Sequence, residues 1–272
     1  MSVKQRTLKS EFSLNGKGLH TGKQVAATFK PAEENFGYRI RRMDLEGTPE
    51  IPALAEYVKL MDRASCLEKD GVCVFTMEHA MAALYGSGID NCLIELSGEE
   101  FPILDGSAKY YVEEIEKVGF EEQKADRRYF TVKEQMEFCS EDGQTKITLL
   151  PDTDYNINLV VAYDSPYLQM QYATYSEQVT DFAKEIAPCR TFVFLRELEM
   201  LLQHNPIKGG DLDNAIVIVD REISQEEVNR LAKLFNHDSI EVKQGILNNL
   251  DLYFDNEPAR HKLLDVIGDL SL

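Results

Sequence analysis

No stretch of this 272-residue chain is apolar for anything near the ~20 residues that a membrane-crossing helix needs. A helical span is therefore excluded from what the sequence predicts. The start also lacks a signal peptide: Met1 to Arg6 carries basic residues, but polar, alternating Thr7-Leu8-Lys9-Ser10-Glu11-Phe12 stands where an apolar region would follow. A cytoplasmic protein is expected. Cysteine is sparse and scattered (Cys66, Cys73, Cys92, Cys139, Cys189), odd in number and without a C-x-x-C pair. That argues against a disulfide framework or a cysteine-built zinc site and predicts reduced thiols. Basic residues are in deficit, 29 against 47 acidic ones, which leaves a net charge of −18. Nucleic acid and anionic lipid would be repelled by the average surface field, although a local basic pocket for a small anion stays compatible with it. Low-complexity and proline-rich tracts are absent as well.

What is present is ordinary for a globular protein, 43% hydrophobic and 28% charged. The length predicts two domains of about 100 to 150 residues each. Val25 to Lys30 and Cys92 to Leu96 read as strands, Met77 to Tyr85 as a helix capped by Gly86, and Ala108 to Val118 as a helix closed by Gly119. The charged Gln123-Lys124-Ala125-Asp126-Arg127-Arg128 reads as a linker. Beyond it, Tyr129 to Val132, Thr145 to Leu150, Ile157 to Ala162 and Ala215 to Val219 are strand-like, while Glu177 to Ile186 and Leu195 to Gln203 are helix-like. Residues 221–257 read as an inserted helix and hairpin. The boundaries that follow are 1–126 and 127–272.

Two distant segments share a pattern. Thr76-Met77-Glu78-His79 runs on to Gly86, and Arg260-His261-Lys262-Leu263-Leu264-Asp265 runs on to Gly268, so each has a histidine seven residues before a glycine. One such helix in each half predicts two similar α+β domains derived from one unit. His261 and Asp265 lie four apart, on one face of a helix, where both can reach one metal ion. If the two helices converge, His79 joins them. Alone, a His-x3-Asp pair is more often a hydrogen-bonded histidine beside a solvated acid. Glu78 points about 100° away from His79. It is suited either to a metal-bound water or simply to a helix N-terminus. Lys262 fits a substrate contact or a solvated lysine equally. Gly209-Gly210 lacks the spacing and lysine of a P-loop and reads as a tight turn where backbone approaches a ligand. Phe192, Phe194, Leu198 and Leu201 are core by default, or the wall of an apolar pocket.

Further motifs stand in order along the chain: Gly18-Leu19-His20-Thr21-Gly22, Gly88-Ile89-Asp90-Asn91, Pro102-Ile103-Leu104-Asp105-Gly106-Ser107-Ala108, Arg190-Thr191-Phe192, and Leu212-Asp213-Asn214-Ala215. With the two histidine segments they make the chain resemble the zinc-dependent UDP-3-O-acyl-N-acetylglucosamine deacetylases of lipid A biosynthesis. The resemblance implies two β-α-α-β sandwiches packed with their helices inward, each with a small insert. It implies Zn2+ held by His79, His261 and Asp265, with Glu78 as general base and Thr191 beside the developing oxyanion. It also places Lys262, His20 and Gly210 toward the polar part of the substrate, and Phe192, Phe194, Leu198 and Leu201 along the passage for its acyl chain. The substrate implied is a UDP-linked acylated amino sugar.

The family carries a Gly-His motif further on whose histidine acts as general acid or active-site charge; this sequence stops at Leu272 before it. Asp269 resembles the acid that orients that histidine. Some members continue into a fused hydroxyacyl dehydratase domain, so a front portion of such a protein, with low activity on its own, is one expectation. A non-catalytic acyl-nucleotide binding module is the alternative.

Overall fold

The computed structural model describes residues 3–61, 64–163, 165, 168–198, 208–235, 238–243, 245–247 and 250–272. They form a mixed α/β structure of open sheets with few helices. The largest sheet orders its strands Phe12–Lys17, Gln24–Pro31, Cys92–Leu96, Tyr38–Arg42, Glu50–Pro52. Tyr38–Arg42 runs parallel to Cys92–Leu96, and the other pairs are antiparallel. Its alternation is that of a half-buried sheet: Val25, Ala27 and Phe29 point inward, and Phe29 stacks on Phe12 at 4.7 Å.

Against this sheet pack the helices Glu78–Gly86 and Lys109–Val118. The second buries Tyr111, Val112 and Ile115 along one stripe and stops at Gly119, whose φ of 74° suits glycine. The first is apolar nearly all round and buries His79 through Leu84. Gly86 is its last helical residue rather than its cap, which falls on Ser87. A side chain at Gly86 would run into the Phe182 ring, so close packing explains the glycine.

The expected linker is instead part of a ladder. Phe120–Asp126 pairs antiparallel with Lys4–Leu8, its charges facing solvent, and Arg127 binds Asp90 at 2.7 Å and Glu177 at 3.7 Å. A charged edge strand and a charged linker look alike in sequence because neither buries its side chains. Tyr129 to Val132 forms no strand; that role falls to Met136–Cys139, paired with Lys146–Leu149. Asn156–Val161 pairs with Gln171–Ser176. Of Glu177 to Ile186 only Phe182–Glu185 is helical, started by the Asp181 side chain accepting from the Lys184 amide. Residues 195–198 are helical, and the rest of that expected helix, with Leu201, lies outside the described residues.

A four-stranded sheet orders Phe192–Phe194, Ile216–Ile218, Ile246–Leu247 and Val242–Lys243, its first pair parallel. The helix and hairpin expected within 221–257 are Gln225–Leu234 and the Val242–Lys243/Ile246–Leu247 pair. The 14-residue helix Glu257–Leu270 follows and lies against Glu78–Gly86. Ala80 to Leu84 share one apolar core with Ala259, Leu263, Leu264 and Ile267, and with Tyr175 and Phe182. No helix among the described residues is long and apolar enough to cross a membrane.

Candidate functional site

Glu78 and His79 owe their place to an unusual turn. Thr76 has a φ of 56°, a left-handed conformation that a β-branched residue adopts at a cost of about 1–3 kcal/mol. The turn is held, and it starts the Glu78–Gly86 helix abruptly on an acid without a side-chain cap. The facing helix is anchored differently. Glu257, fully buried, binds Arg190 Nε at 2.9 Å and accepts from the backbone amides of Arg190 and Tyr253. Pro258 in its first turn has a backbone already set for a helix. The two helices touch where Gly268 meets the Glu78 carbonyl, a contact that any Cβ would prevent.

That contact brings His79, His261 and Asp265 together, with one donor atom from each lying within 4.8 Å of the others. Asp265 Oδ1 stands 3.8 Å from His79 Nε2 and 3.4 Å from His261 Nε2. His261 Nδ1 lies 3.0 Å from the carbonyl oxygen of Cys189, which fixes the proton on Nδ1 and turns the Nε2 lone pair to the cluster. Burial lowers the pKa of both histidines, that of His79 to about 3, so both are neutral donors. Burial pushes the Asp265 carboxyl up, but His261, Lys262 and His79 outweigh it and hold the group below the usual carboxylate range. Yet the buried Asp265 Oδ1 accepts no hydrogen bond. Two neutral imidazoles and an ionised oxygen without a donor fit a divalent cation with an open coordination position.

Glu78 sits beside them with its own buried oxygen, Oε2, lacking a partner. Burial first, then repulsion from Asp265 and Asp269, pushes its carboxyl up to about 8. A cation at the cluster would draw this back down. Asp269, one turn further along, reaches the surface, yet the protein packed around its carboxyl and the charge of Asp265 likewise raise it, to about 6. Lys262 Nζ binds Asp265 Oδ2 at 3.0 Å and lies 5.7 Å from the centre of the Phe192 ring.

Phe192, Phe194 and Tyr163 form an aromatic trio with ring centres 5.1 to 6.0 Å apart. Leu198 packs elsewhere, with Leu195, Val217 and Val219 on the other side of the four-stranded sheet, beneath the Gln225–Leu234 helix. Alternation along the strand makes this separation, which helical spacing could not reveal. Thr191 follows Arg190 and is pinned on both sides, its amide donating to Gly106 O at 2.7 Å and its carbonyl accepting from the Ile216 amide. His20 stands on a loop whose Leu19 carbonyl accepts from the Gly209 amide at 3.0 Å. A Cβ at Gly209 would strike Gly18 O, so the close neighbour of Gly209 is another backbone; Gly210 follows it, half-buried. Asn214 shapes that loop, donating to Gly209 O and accepting from the Asp211 amide.

Sequence reasoning missed Glu257, Tyr163 and Glu100. Each acts through a partner far along the chain, and no local spacing announces it.

A family model described as UDP-3-O-acyl N-acetylglycosamine deacetylase matches residues 5–240 and 236–272. The chain is 53% identical over 271 residues to the bifunctional enzyme LpxC/FabZ of Bacteroides thetaiotaomicron, covering 99% of this chain and 59% of that protein. It is 44% identical over 275 residues to the bifunctional enzyme LpxC/FabZ of Chlorobaculum tepidum, covering 100% of this chain and 59% of that protein. To the UDP-3-O-acyl-N-acetylglucosamine deacetylase of Marinobacter nauticus it is 39% identical over 272 residues, covering 99% and 81%. The chain thus spans 59% of the length of those two bifunctional relatives. A match that runs through both helices of the histidine–aspartate cluster is decisive, and the chain belongs to the UDP-3-O-acyl N-acetylglycosamine deacetylase family.

Proposed function

We propose that this chain is a zinc-dependent hydrolase that removes acetate from the N-acetyl group of UDP-3-O-(3-hydroxyacyl)-N-acetylglucosamine, the committed step of lipid A biosynthesis. The observation that carries this is the convergence of His79, His261 and Asp265 beside the buried, partnerless oxygen of Glu78, in a chain of that family. Those three residues would hold Zn2+. Zinc there would supply a Lewis acid for the acetamide carbonyl and for water.

Glu78 takes the proton of the attacking water, a role suited to a carboxylate that burial raises and a bound cation would draw back down so that it is ionised and still basic. Thr191 places its hydroxyl by the developing oxyanion, where one donor is typically worth about 3 kcal/mol. Asp269, held near 6, orients the proton donor for the leaving amine. Lys262, between Asp265 and Phe192, meets the polar head of the substrate, with His20 and Gly210 further toward the diphosphate. Phe192 and Phe194 wall the acyl chain, with Tyr163 beside them.

The architecture we infer is a pair of β-α-α-β sandwiches, 1–126 and 127–272, with helices inward. The shared core between Glu78–Gly86 and Glu257–Leu270 supports it. We also infer a cytoplasmic setting, and a fused dehydratase domain following in the same polypeptide; the second is supported by the bifunctional relatives, of which this chain covers 59%. Metal analysis and turnover of the wild-type protein, Glu78→Ala and His79→Ala test the reading. A correctly folded wild type that holds no zinc overturns it.

A further inference from the structure

Glu100 is buried to 2% exposure and belongs to neither helix of the cluster. Its carboxylate accepts from the His20 amide at 2.8 Å, the Thr21 amide at 2.9 Å and the Thr21 hydroxyl at 2.8 Å. It also accepts from the Thr76 hydroxyl at 3.1 Å. Two segments far apart in sequence thus share one anion: the loop that carries His20, and the left-handed turn two residues before Glu78.

The backbone around Glu100 is laced to the same two places. The Phe75 amide donates to Glu99 O and the Phe101 amide to Phe75 O, while the Ile103 amide donates to Lys17 O. Gly18 has no room for a side chain because the Glu100 carboxylate fills that space. The loop in turn docks onto the Gly209 amide through Leu19 O. A buried carboxylate without a cationic partner is costly unless its acceptor sites are filled, and here four donors fill them.

We propose that Glu100 is a positioning residue that sets the His20 loop and the Thr76 turn in one register, so that the substrate-holding side and the base-bearing side of the site are fixed relative to each other. The proposal rests on the deacetylase reading. It makes substrate binding and proton abstraction depend on one remote carboxylate, through separate hydroxyls: Thr21 leads to the loop, Thr76 to Glu78.

The test uses the full-length, zinc-loaded protein with Glu100→Gln, Thr21→Val and Thr76→Val, and the half-buried neighbour Glu99→Gln, whose side chain pairs with Lys23 instead, as control. Glu100→Gln puts an amide where backbone N–H groups need an acceptor. It is expected to speed hydrogen exchange of the His20 and Thr21 amides about 10- to 100-fold. It should lower kcat/KM by about 10- to 100-fold, as misplacement of a supporting residue does. Thr21→Val should raise KM with little change in kcat, and Thr76→Val should lower kcat with little change in KM. Glu99→Gln should match wild type. A folded Glu100→Gln with wild-type kcat and KM overturns the proposal. If Glu100→Gln does not fold, the two valine variants decide, and absence of the KM-against-kcat split overturns it. If wild type itself does not hydrolyse the substrate, the deacetylase reading falls, and zinc affinity of Thr76→Val then decides the positioning role. A drop of about tenfold supports it and unchanged affinity overturns it.

Discussion

The two histidine helices look equivalent in sequence and are held by opposite means. Glu78–Gly86 is short, apolar all round, and begins on a strained turn tied to Glu100. Glu257–Leu270 is longer, amphipathic, and begins on a buried ion pair with Arg190. Neither start has a side-chain cap of the usual kind. The Gln225–Leu234 helix, away from the site, has a full capping box between Ser224 and Glu227. Helices that carry the cluster are therefore placed by tertiary contacts, whereas the distant one is specified locally. Placement by tertiary contact lets an acid, Glu78, and the histidine–aspartate cluster meet at fixed separations although they come from distant segments.

The largest effect should come from the cluster itself. His261→Ala is expected to abolish zinc binding and with it turnover, as read by metal content and product formation. Next, Glu78→Gln should keep zinc but lose about 10²- to 10⁴-fold in kcat. Loss of zinc in that variant would mean that the two helices do not divide the work as described. Arg190→Met leaves Glu257 buried and unpaired, and should cost about 3–5 kcal/mol of stability in denaturant unfolding.

The two glycines test the comparison more finely. Gly268→Ala and Gly86→Ala each force a Cβ into an occupied space and should each cost about 1–3 kcal/mol. Only Gly268→Ala should also reduce kcat beyond the loss explained by unfolding, because its neighbour is the backbone of Glu78. The smallest effect belongs to the locally specified helix. The Arg221 guanidinium, with Ser224, holds the half-exposed Glu227 carboxyl at about 2, below its ordinary 4.5. A depressed carboxylate adds stability that is present above pH 4.5 and is lost as pH falls toward 2. Glu227→Gln should flatten the stability profile between those values and leave activity at pH 7 unchanged.

Much of this was readable beforehand, and the misses share a cause. The spacing of His261 and Asp265, the strands at Val25 and Cys92, and the helix ending at Gly119 depend on periods of two or 3.6 residues, which a sequence displays openly. Gly86 reads as a cap because a glycine at a helix end usually is one, and the Phe182 ring that requires it instead lies almost a hundred residues on. Charge at Gln123 to Arg128 suggested a linker because an exposed edge strand buries too little to display alternation. Phe194 and Leu198 share a helical spacing, but Phe194 lies in a strand, and the two end up in clusters on opposite sides of the sheet. Arg190, Glu257, Glu100 and Tyr163 owe their meaning to partners that only the folded chain supplies.

The apolar core common to both halves has a consequence for how the molecule comes apart. The Ala80 to Leu84 segment shares its core with Leu263, Leu264 and Ile267, and Gly86 meets Phe182, so the two histidine helices cannot part without exposing a common interior. A protease cutting near Arg128 would therefore leave the two pieces held together through that interior.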